Sequence, residues 1–330
     1  MGASDGLPIR MTCAVQQGGL RGRIESKGTV MKMKTRFRPA WLASMFLMLT
    51  LWAPVGGAAA VAAPTGPGYW LEAGDGGVFA FGSAPFLGSA TQQCTFQCWG
   101  IGATADAHGY WIVDNYPVTD PTQIRLYGFG SAVDLQMPNP DGGPLAVAST
   151  PSSKGGWILL SDGTVVPFGD AQWFGDGAGL GLFGVSWPPF GSFLHYFVGI
   201  ASTPDGKGYW LAGVDGGVFA YGDASFYGSM GARNLNTPVT GIARTTDGHG
   251  YWLVSLDGGV FSFGDAVFEG CMAGRPLNDL MVGIAANPDG SGYWTVAQDG
   301  GVFAFGDAPF LGSMANRFLH RPIYGIAASS

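Results

Sequence analysis

Charge is scarce in this 330-residue chain: only 12% of residues are Asp, Glu, Lys or Arg, and the 16 basic ones are outnumbered by 23 acidic ones. Eight of the basic residues but only Asp5 and Glu25 of the acidic ones lie within 1–63, so residues 64–330 carry eight basic against 21 acidic residues, a formal charge near −13. So acidic a segment repels nucleic acid and anionic lipid, and its few cations form no run that could cradle phosphate. Histidine and cysteine are equally sparse, four of each. A zinc site needs four ligands with a His pair nearby, which the sequence does not offer, so no metal or other cofactor is expected. Glycine is abundant, 57 residues, which suits short strands and tight turns better than a helical enzyme.

What the chain has instead is a repeat. GYWLVSLDGGVFSFGDAVFEG, from Gly250 to Gly270, recurs closely from Gly68, Gly208 and Gly292, and in degraded form from Gly109 (GYWIVDNY) and Gly156 (GWILLSDGTVVPFGDAQWFG). Self-similarity at a fixed period decides whether a residue is special or one of six equivalents.

The first 63 residues do not share it. Lys32, Lys34, Arg36 and Arg38 precede the apolar run Trp41 to Val55 and a small-residue tract containing Ala60-Val61-Ala62, the layout of a secretory signal spanning 31–63. The chain therefore reads as an N-terminal extension and signal, 1–63, followed by a repeat domain, 64–330, that is secreted or held at the cell surface. The alternative is an uncleaved membrane anchor over Trp41 to Ala63, the only expected membrane contact. Residues 1–30 carry no pattern, and Met31 or Met33 is the more ordinary start for such a signal.

Within one 42-residue period, four segments read as strands: Val239 to Arg244, Tyr251 to Ser255, Gly259 to Phe263 and Val267 to Gly270. Asp247-Gly248 and Asp257-Gly258 supply the positive-φ positions of tight hairpins, and Gly264-Asp265 marks the third turn. Six such units predict an all-β, six-bladed β-propeller of four-stranded blades. The first copy begins on a second strand at Tyr69 and the chain ends on a first strand, Ile323 to Ala328, so blade 1 is closed by the C-terminal strand. The Tyr-Trp pair, recurring in each well-preserved copy, is expected to pack between adjacent sheets rather than to stack on a ligand.

The units GYWLEAGDGGVFAFGSAPFLGS, GYWLAGVDGGVFAYGDASFYGS and GYWTVAQDGGVFAFGDAPFLGS resemble those of secreted repeat proteins of high-GC Gram-positive bacteria, which carry GYWLVxxDGGVFxFGDAxFxGS motifs. The resemblance covers Gly68 to Ser330 and implies propeller blades in an extracellular setting. It brings no catalytic residues.

Differences among the copies are informative. The conserved tryptophans 70, 111, 157, 210, 252 and 294 are spaced by 41, 46, 53, 42 and 42 residues, and every length change falls in a second-to-third or fourth-to-first strand connection. In an up-and-down sheet those connections emerge on one face. Three loops over blades 1 to 3 are thus candidates for binding. Gln92 to Trp99 includes Cys94 and Cys98, spaced for a small disulfide in an oxidising compartment. Asn115 to Arg125 holds Tyr116, Asp120 and Arg125. Gly177 to Tyr196 holds Phe183, Trp187, Phe190, Phe193, His195 and Tyr196, an aromatic set suited to sugar rings or a protein partner, or alternatively to a hydrophobic cap over blade 3. Cys271 stands where other copies have Ser89, Ser229 and Ser313, and reads as a small packed residue.

The first strands carry one charge, Arg244, so no carboxylate pair or metal cluster faces the axis. His108 and His249 occupy one variable turn position, and the aspartates Asp75, Asp215, Asp257 and Asp299 read as hairpin residues. The sequence points to a monomeric, non-enzymatic binding module for a cell-envelope glycan or an extracellular protein. The alternatives are a glycan hydrolase or lyase using Asp114, Asp120 and Asp176, and a purely structural surface protein.

Overall fold

Alternating apolar residues flanked by Asp-Gly turns fold into short antiparallel strands, each bending back at a glycine whose positive φ other residues rarely adopt. The computed structural model describes residues 66–94, 97–114, 123–138, 142–182, 186–187, 191–192 and 195–329. The expected signal and N-terminal extension, 1–63, lie outside the described residues. Among the described residues no helix is long and apolar enough to cross a membrane.

The strands in chain order are β1 (Gly68–Ala73), β2 (Val78–Gly82), β3 (Cys98–Ala103), β4 (Gly109–Asp114), β5 (Gln123–Gly130), β6 (Leu135–Pro138), β7 (Pro144–Ser149), β8 (Gly156–Leu160) and β9 (Val165–Phe168). They continue with β10 (Ser186–Trp187), β11 (Gly191–Ser192), β12 (Phe197–Ser202), β13 (Gly208–Gly213), β14 (Val218–Gly222), β15 (Val239–Arg244) and β16 (Gly250–Ser255). The last are β17 (Val260–Gly264), β18 (Met281–Ala286), β19 (Gly292–Ala297), β20 (Val302–Gly306) and β21 (Ile323–Ser329). They form the sheets β2-β1-β21, β3-β4-β5-β6, β7-β8-β9, β12-β13-β14, β15-β16-β17 and β18-β19-β20, with a minor β10-β11 hairpin. This is a propeller-like all-β repeat in which the last strand joins the first sheet, Tyr69 pairing with Ala328 and Leu71 with Ile326.

One expectation is corrected. Among the described residues the fourth segment of each unit, Val267 to Gly270 in the example, is not a ladder strand, except in the second unit, where β6 forms a fourth strand. The segment lacks the donors and φ values a ladder needs. Pro85 and Pro309 have no N–H, and Gly88, Gly175, Gly228, Gly270 and Gly312 take φ from 126° to 141°. Side chains hold it instead. The six repeat tryptophans donate their indole N–H to Pro85 O, Val133 O, Gln172 O, Ser225 O, Val267 O and Pro309 O at 2.7–3.1 Å. The tyrosines beside five of them reach the neighbouring unit. Tyr110, Tyr209, Tyr251 and Tyr293 donate to Gly88 O, Gly175 O, Gly228 O and Gly270 O, and Tyr69 donates to Gly312 O, at 2.5–2.7 Å.

The Tyr-Trp pair is therefore inter-sheet packing, as its recurrence predicts. Trp70, Trp157, Trp210, Trp252 and Trp294 meet Tyr110, Tyr209, Tyr251, Tyr293 and Tyr69 with ring centroids 5.1–5.7 Å apart. In the third unit Gly156 replaces the tyrosine. A Cβ there would lie 2.8 Å from Phe168 Cζ, and Phe168 itself packs edge-on against Trp111 at 5.4 Å.

Candidate functional site

The innermost strands β21, β3, β7, β12, β15 and β18 adjoin in that order, and β18 returns to β21. Together they line a cavity of about 550 Å³. Small residues let them crowd: Gly100, Gly199, Gly241, Gly283 and Gly325 form one rung, and a Cβ on Gly325 would stand 3.0 Å from Ile101 N. The next rung is Ile101, Val147, Ile200, Ile242, Ile284 and Ile326.

The rung at the start of these strands breaks the repeat. It reads Trp99, Leu145, Val198, Thr240, Val282 and Tyr324, so two large aromatics stand side by side at one mouth. Their rings are near parallel, 18° apart with centroids at 6.2 Å. His195, just before β12, also meets Trp99, with ring centroids 5.6 Å apart. Because β7 separates β3 from β12 in the inner order, this contact joins two of the three candidate loops beside the mouth. Burial lowers the pKa of His195, which favours the neutral ring.

Glu72 bonds to the backbone of Gly100, the residue after Trp99. Its side chain is fully buried on β1, at the position held by Val113, Leu159, Ala212, Val254 and Val296 in the other units. Oε2 accepts the Gly100 N–H at 3.1 Å, while Oε1 has no partner. Burial pushes the carboxyl pKa well above its ordinary value and Asp75 adds to this, against the lowering effect of the Gly100 bond. Tyr324 is raised too, by burial and then by Glu72, opposed by a bond to Gln97 and by Arg321. The Trp99 indole N–H is likewise buried without an acceptor. Just before Trp99 the chain is fastened by the Cys94–Cys98 disulfide, Cα atoms 5.9 Å apart, and by Cys98 N–H donating to Gly74 O at 3.0 Å.

The other described sequence candidates make contacts of their own. Tyr196 is buried against Phe197 and Phe219 and donates its hydroxyl to Asp215 at 2.5 Å; burial first, and then this bond, raises its pKa. Arg125 is on β5 and donates to Gln136 Oε1 at 3.1 Å. Asp114 is buried and accepts the Tyr127 hydroxyl at 3.0 Å, and Asp176 accepts the Ala178 N–H at 3.3 Å. Trp187 is placed in β10. Tyr116, Asp120, Phe183, Phe190 and Phe193 lie outside the described residues. Cys271 is buried in the same core cluster as Met281 and Tyr293 and is disulfide-bonded, which corrects its reading as merely a small packed residue.

At the opposite mouth Arg244 stands where other units have Ala or Ser, and its Nη1 donates to Thr245 O and Thr246 O at 2.9 and 3.0 Å. Asp247, His249 and Asp265 offer three close ligand atoms, all exposed. Their bonds are those of a turn: Asp247 accepts the His249 N–H at 3.1 Å and the Thr245 hydroxyl at 2.8 Å.

Sequence reasoning missed Glu72 and Tyr324. The signal was a single departure from the repeat at each position, an acid among aliphatics and a second aromatic in a rung of small side chains. No family model matches the chain, and no curated protein matches it by sequence. Among solved structures, one described as the crystal structure of a nidogen/laminin complex aligns with 80% of this chain and 99% of its own, at TM-score 0.53 and 11% identity. That likeness is one of fold.

Proposed function

We propose that the chain is a secreted, monomeric, non-enzymatic binding module, a closed six-bladed propeller that takes an uncharged glycan of the cell envelope at the Trp99–Tyr324–His195 mouth. Three lines of support favour closure: the pairing of β1 with β21, the cyclic order of the inner strands, and the Trp294–Tyr69 contact that joins the two ends of the repeat. The resemblance of the repeat units to those of secreted repeat proteins of high-GC Gram-positive bacteria supports the extracellular setting. The observation that carries the binding reading is the meeting of Trp99, Tyr324 and His195, three departures from the repeat, at a single mouth. Flat aromatic faces with neutral polar edges suit the apolar faces of sugar rings.

Purified cell wall and a glycan array test it. Wild-type protein is expected to bind, and Tyr324→Ala and Trp99→Ala to lose binding while keeping their melting temperature within a few degrees. Unchanged binding in both variants overturns the site.

A second reading, an extracellular protein partner, is favoured by the exposed Phe86, Trp173, Phe226 and Phe310, which recur on the fourth segments of four units. The aligned structure is described as a protein complex, which agrees with that reading. Loss of partner capture in a Phe86→Ser/Phe226→Ser/Phe310→Ser variant, with glycan binding intact, is the result that favours it.

A further inference from the structure

Arg244 is the one charged side chain on the six innermost strands, and it lines the cavity at the mouth opposite Trp99. It belongs to the last rung of those strands, which reads Ala103, Ser149, Ser202, Arg244, Ala286 and Ala328. Strands β7, β12 and β15 adjoin in that order, so Ser149, Ser202 and Arg244 form one polar arc and methyl groups make up the rest. Two contacts fix the register. Ser202 Oγ donates to Ser149 O at 3.0 Å. A Cβ on Gly199 would stand 3.1 Å from Ile242 Cγ2 and 3.9 Å from Gly241 Cα, which sets β12 level with β15.

A guanidinium carries five N–H donors in one plane and does not lose its charge in a protein. In Arg244 the Nη1 donors go to Thr245 O and Thr246 O at 2.9 and 3.0 Å, pinning that end of the plane to the backbone. Among the described residues the Nε and Nη2 donors have no acceptor, and the group is in no ion pair. Asp247 is the carboxylate that acts on it through space, but its oxygens accept the Thr245 hydroxyl and the His249 N–H and meet the His249 ring. A half-buried cation with no bonded counter-ion is costly, and an anion at the free edge removes that cost.

The free edge dictates the ligand. Nε–H and one Nη2–H are parallel donors, spaced for the two oxygens of a carboxylate. Phosphate brings more negative charge into a strongly acidic domain, and its remaining oxygens would face acceptors rather than donors. Ser202 spends its hydroxyl hydrogen on Ser149 O and keeps lone pairs that accept nothing among the described residues. It therefore suits a hydroxyl carried by the same ligand. A cavity of about 550 Å³ is of the size that holds one small molecule.

We infer that the Arg244 mouth binds the carboxylate of a small hydroxylated acid, Nε–H and Nη2–H donating to its two oxygens while a ligand hydroxyl donates to Ser202 Oγ. This site is separate from the Trp99 mouth and does not depend on the glycan reading.

The test is a titration of the full chain, by calorimetry and ligand-observed NMR, with glucuronate, lactate, acetate, glucose and inorganic phosphate. The better of glucuronate and lactate should bind more tightly than glucose, which has no carboxylate, by roughly tenfold or more. Whichever of the two is better names the source, an acidic sugar or a free hydroxy acid. Acetate has no hydroxyl and should be weaker by about threefold. Arg244→Ala installs the residue of three other units, so it should keep its melting temperature and its binding to cell wall while losing the acid roughly tenfold or more. Arg244→Lys keeps the charge without the fork and should lose nearly as much. Ser202→Ala should bring the hydroxylated acid down to the affinity of acetate. Unchanged acid binding in Arg244→Ala, equal affinity for glucose, or tighter binding of phosphate than of either acid overturns the inference. If Arg244→Ala fails to fold, the Lys variant decides, and full affinity there overturns the fork.

Discussion

Glu72 illustrates the cost that a single buried carboxyl can carry. Its folded-state pKa lies above that of an unfolded chain, about 4.3, because burial disfavours the charged form. The folded state therefore binds the proton more tightly than the unfolded state. Its contribution to stability is fully present below the unfolded pKa, is lost as pH rises towards the folded pKa, and is flat above that. Replacement by Leu should flatten the fall in urea midpoint between acidic and mildly basic pH. A profile for Glu72→Leu that parallels wild type would show that the carboxyl does not titrate as a buried group. The repeated tyrosines make a simpler prediction. Tyr251→Phe keeps the ring contact with Trp210 and removes the hydrogen bond donated to Gly228 O and the one accepted from the Tyr227 N–H, so chemical denaturation should report a loss of about 1–2 kcal/mol. No loss would mean the hydroxyl is as well satisfied by solvent.

At the level of the element, three strands of each unit were legible in the sequence because their signals are local: an Asp-Gly turn, an alternating apolar run, then another turn. The fourth segment was misread because AVFEG alternates like a strand, while the groups that hold it are distant. Its carbonyls are claimed by a tryptophan 15 residues earlier and a tyrosine in the next unit, and no local pattern encodes that arrangement. The Cys94–Cys98 clip was readable from spacing alone. The partners it brings to Trp99 were not, since Gly100 meets Glu72 across 28 residues and His195 is farther still. Cys94→Ser/Cys98→Ser closes no loop in the unfolded chain, so it should cost about 2 kcal/mol. It should also weaken ligand binding beyond that, because it frees the backbone that presents Trp99. Retained affinity in the double variant would place the clip outside the site.

For the whole molecule, the repeat is scaffold and the proposed site lies where it breaks. Five Trp–Tyr contacts and one Trp–Phe contact pass from sheet to sheet, and the fifth tyrosine contact, Trp294 to Tyr69, spans the two ends of the chain. If that seam closes a ring, a chain stopped after Pro322 loses β21 and should unfold at a markedly lower temperature in a broader transition. An unchanged melting curve would mean that the sheets are stable as an open array.

Against this scaffold Trp99, Tyr324, Glu72 and His195 are the departures that meet. Hydrogen exchange of the protein with and without a bound cell-wall fragment tests that placement most directly. The account predicts protection gathered at residues 97–101, 195–198 and 323–326, with Glu72 and its neighbours on β1 slowed as well. Protection confined to the exposed fourth segments around Phe86, Phe226 and Phe310, or to the opposite mouth around Arg244, would contradict it.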